Sequence, residues 1–259
     1  KFMEKFTIVT RFDELSKQIG DKIKQVLQSN QYEYNQESPD TVFVVGGDGT
    51  YIKAIHDYME LIPDVKFLGL HTGTLGFFTD YQDNEVDALL EMYLSGKYEM
   101  NEYPLLVTEV NGNIYHAVNE IRVENIARTQ ILDVRLSGEY LETFRGTGMC
   151  VCTQLGSTAY NRSLGGAVIQ EGLDLIELSE IAGIHHSKSR SLFAPIVLSK
   201  DTKVKLSSES FERAILGVDS DVYPIDEIKE LEIRICDQKR VRMIKGKKVS
   251  YFTKLSSLF

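Results

Sequence analysis

Residues 41–50 read TVFVVGGDGT. The apolar and β-branched run from Val42 to Val45 leads straight into Gly46, Gly47, Asp48, Gly49 and Thr50. A short continuous apolar run bounded by turn residues reads as a strand buried on both faces, as in a parallel sheet. The flanking pattern agrees. FTIV at 6–9 reads as a strand, and ELSKQIGDKIKQVL at 14–27 carries apolar residues at helical spacing. Pro39-Asp40 signals a turn before the run. YIKAIHDYMEL at 51–61 reads as a helix, VKFLGL at 65–70 as a third strand, HTGTLGFFTD at 71–80 as a glycine-bearing loop, and 84–94 as another helix. Alternating strands and helices predict an α/β domain with a parallel, Rossmann-like sheet over 1–98.

The texture changes near residue 98. Short β-rich runs separated by turns follow, and they predict a mainly β, sandwich-like domain over 99–242. NGN at 111–113 marks a hairpin, and Ser137-Gly138-Glu139 another turn. One helix is expected at 163–184, broken at Gly172. APIVLS, KVKLSS, RAILGVD and ELEIRICD supply further strands. The segment from about 243 to 259 is expected to pack back on the first domain.

Composition excludes several classes. The 259 residues carry 29 Lys and Arg against 38 Asp and Glu, a formal charge of −9. A protein of this sign is a poor ligand for duplex nucleic acid, although a local basic patch can bind a small phosphate compound. Three cysteines, Cys150, Cys152 and Cys236, show no disulfide framework. Cys150 and Cys152 lie two apart in a strand-like run and read as buried thiols. No stretch approaches the ~18–20 apolar residues that span a bilayer. KFMEKFTIVTRFDEL has no signal-peptide core, so a cytoplasmic location is expected, with no membrane partner.

Three stretches carry chemistry. Glycines after a buried strand let the backbone turn sharply and approach a ligand closely, and the N-terminus of the following helix favours phosphate. Asp48 beside that spot fits a site where a divalent cation mediates, or where the carboxylate accepts a hydroxyl proton. The plainer reading makes Asp48 the cap of the next helix. GSTAYNRSLGG at 156–166 sets Tyr160 and Asn161 among hydroxyls, which suits a nucleoside as well as a turn and cap. AVNEIRV at 117–123 places Asn119-Glu120 as a polar pair in an otherwise apolar strand, and such a pair needs partners. His185-His186 and the basic run KGKK at 245–248 read as solvated turns, and His71 lies near the presumed cleft.

Together GGDGT, HTGTLGF at 71–77, the NE pair and GSTAYNRSLGG resemble the NAD kinase family in order and spacing, over about residues 5–240. The resemblance implies two domains with the active site between them. It implies transfer of the γ-phosphoryl group of ATP, or of polyphosphate, to the 2′-hydroxyl of the NAD adenosine ribose, with Mg2+ on the ATP phosphates. Asp48 matches the catalytic aspartate, with Gly46, Gly47 and Gly49 in the phosphate-cradling loop. Asn119 and Glu120 match the adenosine-holding pair, and Thr158, Ala159, Tyr160 and Ser163 the adenosine segment. Phe77 matches a residue lining the NAD site. Arg145, Thr147 and Ala182 match further contacts, and Asp219 a late loop near the site. The resemblance also implies a homodimer or homotetramer. Two positions depart from the family pattern: Thr147 stands where the family has an aspartate, and Leu155 where it has a hydroxyl residue. GGDGT alone also fits a diacylglycerol- or sphingosine-type lipid kinase, and the two departures fit a non-catalytic NAD or NADP sensor.

Overall fold

Why Thr41–Val45 is apolar on both faces is plain from its place: every residue of the strand is buried, between two parallel neighbours. The computed structural model describes residues 3–185, 190–247 and 249–258. They form two units, 1–103 with 238–259, and 104–237. The change of texture read near residue 98 thus falls at 103/104, inside the strand Glu99–Val110, and the return falls at 237/238, inside the strand Glu230–Lys245.

In the first unit, Lys5–Thr10, Thr41–Val45 and Lys66–His71 lie parallel in that order, and Glu33–Tyr34 pairs with the outer side of Lys5–Thr10. On the other side Arg242 and Met243 pair parallel with Lys66 and Phe67. The helix Glu14–Ser29 starts at Asp13, whose carboxylate accepts from the Ser16 N–H at 2.9 Å, a side-chain N-cap. Its buried stripe, Ile19, Ile23 and Leu27, joins Phe6, Phe43, Leu68 and the Val86–Ser95 helix in one apolar core. The helix expected from Tyr51 begins three residues earlier and runs Asp48–Asp57.

The second unit is a sandwich of two antiparallel sheets. One contains Gln130–Leu136, Glu139–Gly146, Val204–Ser207 and the start of Glu230–Lys245. The other orders Ile196–Ser199, Leu175–Ile181, Gly148–Thr153, Glu120–Glu124, Ile215–Val218 and Asp221–Pro224. Inward residues of both, among them Leu132, Phe144, Val123, Val151 and Leu216, form a single core. Both turn readings hold. Val110 pairs with Asn113 across Asn111 (φ 52°) and Gly112 (φ 76°), and Leu136 pairs with Glu139 across Ser137 (φ 49°) and Gly138 (φ 90°). Positive φ at both central positions is the signature of the type I′ two-residue hairpin.

The helix expected at 163–184 is absent. A single helical turn, Tyr160–Ser163, is followed by the strand Leu175–Ile181. Gly165 and Gly172 sit at φ 79° and 93°, which ends any helix between them. LIELSEI then lies between two antiparallel neighbours, where it is almost wholly buried. Cys150 and Cys152 are buried free thiols, and burial pushes both up from their ordinary pKa.

Gly148 is hemmed in by this sandwich. A Cβ there would stand 1.8 Å from the Val123 carbonyl oxygen, which is backbone and cannot swing away. Gly148→Ala should therefore lower the unfolding free energy by roughly 2–3 kcal/mol, read from the urea midpoint. An unchanged midpoint would contradict the packing described.

Candidate functional site

Registry places the candidate residues of the first unit. Thr10, Val45 and Leu70 stand side by side at the ends of their strands. Segments 11–13, 46–50 and 71–80 therefore leave the sheet at its C-terminal edge, the edge at which open parallel sheets bind ligands. Gly47 is the helix N-cap and offers no side-chain bond. Asp48 does not cap the helix either. Its carboxylate accepts from the Phe77 N–H at 2.9 Å and the Phe78 N–H at 3.1 Å. Gly76 permits this approach, since a Cβ on it would lie 2.2 Å from Asp48 Oδ1. Phe77 thus meets Asp48 through its backbone, while its ring lies 5.9 Å from that of Tyr251.

The glycines of GGDGT serve two purposes. A Cβ on Gly46 would meet Thr50 Oγ1 at 2.5 Å, so Gly46 answers to packing inside the chain. Around Gly47 and Gly49 nothing lies within 4 Å of an added Cβ, and neither has positive φ. Neither packing nor backbone conformation demands glycine at those two positions. The room they leave opens beside the first N–H groups of the helix Asp48–Asp57, which lack intrahelical partners. His71 is buried, with Nδ1 3.1 Å from Thr79 Oγ1, and burial holds its pKa below the ordinary value.

The candidate residues of the second unit lie in the sandwich. Asn119 and Glu120 are not in the middle of a strand but at the bend between Asn113–Ala117 and Glu120–Glu124. Asp219 builds that bend. Its Oδ2 accepts from the Val118 N–H at 2.8 Å, and its Oδ1 from the N–H groups of Asn119 and Glu120 at 2.7 and 3.2 Å. Asp219 itself sits at φ 51°, a conformation Asp adopts more readily than most residues. Its role here is to shape the pair rather than to stand exposed beside it.

GSTAYN is packed against the same bend. The Thr153 N–H donates to the Asn119 carbonyl at 2.9 Å, and a Cβ on Gly156 would fall 2.0 Å from that oxygen. Thr158 and Ser163 spend their hydroxyls on the carbonyls of Leu155 and Tyr160. Ala159 is the hinge between the two short helical turns. The Tyr160 hydroxyl reaches Glu124 at 3.3 Å. Asn161, read from sequence as a nucleoside contact, is fully buried and spent internally. It donates to the Ser157 and Ala167 carbonyls and to Glu177, and accepts from Ser179.

Arg122 escaped the sequence reading. Its guanidinium bonds Glu120 at 2.9 Å, Glu124 at 3.1 Å and the Asp219 carbonyl at 3.1 Å, and lies 5.2 Å over the Tyr160 ring. Gly217 makes room for it, since a Cβ there would stand 2.6 Å from Arg122 Nη2. Even so, Glu120 is only partly compensated. Burial first, and then the Asp219 charge, push its pKa up to about 7. Glu120 Oε2 and Asn119 Oδ1 are both buried with no partner, the condition that an incoming donor group relieves.

The remaining residues divide. Thr147 donates its N–H to the Ile181 carbonyl, and the Arg145 carbonyl accepts from Ile184, so 145–147 lies beside Ala182 (φ 46°). The Arg145 side chain is exposed and lines a separate cavity with Asp133, Thr143 and Ser208. His185 is exposed, as a solvated turn requires, with its ring 3.8 Å from Phe193 and its Nε2 3.4 Å from Glu180. Lys245 and Lys247 of the basic run pair with Asp80 and Glu85. His186 and Lys248 lie outside the described residues. Among the described residues no three His, Cys, Asp or Glu side chains converge as a metal cage, and no helix is long and apolar enough to cross a membrane.

Comparison with known proteins identifies the architecture. Residues 8–98 match the model of the ATP-NAD kinase N-terminal domain, and 118–246 that of the ATP-NAD kinase C-terminal domain. NAD kinase 1 of Bacillus cereus is 33% identical, with 98% of each chain covered. NAD kinase of Lactobacillus helveticus is 39% identical over 82% of this chain and 80% of its own. An NAD kinase from Archaeoglobus fulgidus, crystallised with ATP, superposes with a TM-score of 0.80 at 24% identity, covering 98% of this chain and 99% of that one. Yeast NADH kinase, crystallised with NADH, gives 0.84 at 16%, covering 99% and 87%. At these identities the two structures speak for the fold.

The raised pKa of Glu120 gives stability a pH dependence. A carboxyl whose folded pKa exceeds its unfolded value stabilises fully below the unfolded pKa, and that contribution is lost as pH rises through about 7. Relative to Glu120→Gln, the natural chain should therefore lose about 2–3 kcal/mol between pH 4 and pH 8, measured by urea unfolding. A pH-independent difference would contradict the burial assigned to Glu120.

Proposed function

Because the chain belongs to the NAD kinase family, we propose that it phosphorylates NAD, moving the γ-phosphoryl group of ATP, or a terminal phosphoryl of polyphosphate, to the 2′-hydroxyl of the adenosine ribose. The observation that carries this reading is the pair of buried, unpartnered acceptors, Asn119 Oδ1 and Glu120 Oε2, packed against the segment that bears Tyr160. Adenosine offers what they lack, an amine and ribose hydroxyls as donors, together with a base to lie against an aromatic ring. A hydroxyl donating to Glu120 also favours its ionised form, which burial disfavours. The curated relatives are NAD kinases, and neither the lipid-kinase reading nor the non-catalytic sensor reading finds support in the comparisons.

The donor phosphates belong at Gly47 and Gly49, where open space meets the helix N-terminus. A divalent cation would arrive on the donor, held mainly by phosphate oxygens and water, as Mg2+ usually is. Phosphoryl transfer asks chiefly for positioning and charge neutralisation. Asp48 is positioned before any substrate binds, each carboxylate oxygen accepting one backbone N–H and keeping a lone pair. It orients the 2′-hydroxyl and accepts its proton as the P–O bond forms. A strong base is not needed when proton transfer comes late in a loose transition state. Arg145, Thr147, Thr158, Ala159, Ser163 and Ala182 are read as further dinucleotide contacts through backbone and shape. Free buried thiols support a cytoplasmic location, and family resemblance supports a homodimer or homotetramer.

The reading is tested by following NADP formation with ATP or polyphosphate against NAD, NADH and a diacylglycerol. NADP from NAD supports it, and phosphorylation of the lipid alone overturns it. Asp48→Asn should retain NAD binding and lose roughly 10³-fold or more in kcat, and near-natural turnover would remove Asp48 from the reaction. Gly49→Ala separates stability from activity. It should leave the urea midpoint unchanged or raise stability by up to ~1 kcal/mol, while raising the KM for ATP about tenfold or more. A fall in stability, or an unchanged KM, would contradict the open space assigned to the donor.

A further inference from the structure

A buried lysine needs a reason, because a desolvated ammonium is costly unless paired and bonded. Lys254 is 3% exposed, on the six-residue helix Tyr251–Ser256 near the chain end. Its Nζ stands 2.5 Å from Oδ1 of Asp80, itself 7% exposed. Lys245 Nζ approaches the other Asp80 oxygen at 3.5 Å. Asp80 thus has a second cation. An apolar residue at 254 could dock so short a helix at less cost.

The third contact of Lys254 supplies the reason. Its Nζ donates to the Phe77 carbonyl at 3.0 Å. The N–H of the same residue donates to Asp48 at 2.9 Å. Phe77 is therefore gripped from both ends, by Lys254 at its carbonyl and by Asp48 at its amide. Tyr251 adds its ring 5.9 Å from that of Phe77. The loop is fixed at other points too: the Phe78 N–H donates to Asp48 at 3.1 Å, the Phe78 ring stacks 5.3 Å from that of Tyr51, Thr72 is bonded to Ser16 at 2.8 Å, and Thr79 to His71.

We propose that Lys254 is a positioning residue for phosphoryl transfer, holding the 76–78 turn so that its amides fix the Asp48 carboxylate. This rests on the reading of Asp48 as the residue that addresses the acceptor hydroxyl. The C-terminal helix thereby becomes part of the catalytic apparatus through its hold on Phe77. Asp80 aims the ammonium, and Lys245 balances Asp80.

Two variants of the full chain test this. Lys254→Met should lower kcat roughly tenfold or more with the KM for NAD within about twofold. It leaves Asp80 short of a partner and should also lower Tm. Asp80→Asn/Lys254→Met removes both members of the 2.5 Å pair, and its kcat should stay low whatever its Tm, since Lys254 no longer holds the Phe77 carbonyl. If kcat recovers in the double variant, or if Lys254→Met turns over at the natural rate, the positioning role is overturned. Should the single variant fail to fold, the double variant alone decides by its kcat. A natural chain that forms no NADP refutes the functional reading before any variant is made, so the two failures are distinguishable.

Discussion

The bond pair from the Phe77 and Phe78 amides to the Asp48 carboxylate is the constraint on which the first unit's chemistry depends. A carboxylate beside a phosphate-favouring helix terminus must point somewhere definite to be useful, and two backbone donors give it a direction at little entropic cost. The bonds join the end of the buried strand Thr41–Val45 to the loop that follows Lys66–His71. They require Gly76 to lack a side chain. The glycines around them then fall into two kinds. Gly46 and Gly76 serve contacts within the chain, whereas Gly47 and Gly49 leave space that the chain itself does not use.

The second unit repeats the logic with different groups. One buried aspartate, Asp219, spends its carboxylate on three successive amides and so fixes where Asn119 and Glu120 point. One cation, Arg122, ties Glu120 and Glu124 together and lies over Tyr160. The result is an under-satisfied pair of acceptors in a rigid frame. Such a frame has already met the ordering cost that a ligand would otherwise bear.

Much of this was legible because it depends on neighbours in sequence. The buried run before GGDGT shows a parallel strand, and Asn111-Gly112 and Ser137-Gly138 show hairpins because few residue pairs tolerate two positive φ values. Asp48, Asn119, Glu120 and Tyr160 stand out as polar groups where local structure has no use for them. What could not be read depends on partners far away in the chain. Asn161 looked available, yet Glu177 and Ser179 consume it. Arg122 looked like one more strand residue, and its importance appears only when Asp219 and Gly217 arrive beside it. Lys254 lies 177 positions from Phe77, and nothing near it hints at burial. The small-residue stretch 163–184 misled for the opposite reason, since its local pattern suits a helix while pairing with Gly148–Thr153 and Ile196–Ser199 makes its Leu175–Ile181 part a strand.

The claim that Asp48 is held in place before substrate binds can be measured without any substrate. Amide hydrogen exchange at Phe77 and Phe78 should be slow in the natural chain and at least about tenfold faster in Asp48→Ala, with the exchange of Val42–Val45 unchanged. Equal exchange at Phe77 and Phe78 in the two proteins would show that the carboxylate does not hold the loop, and would contradict the account.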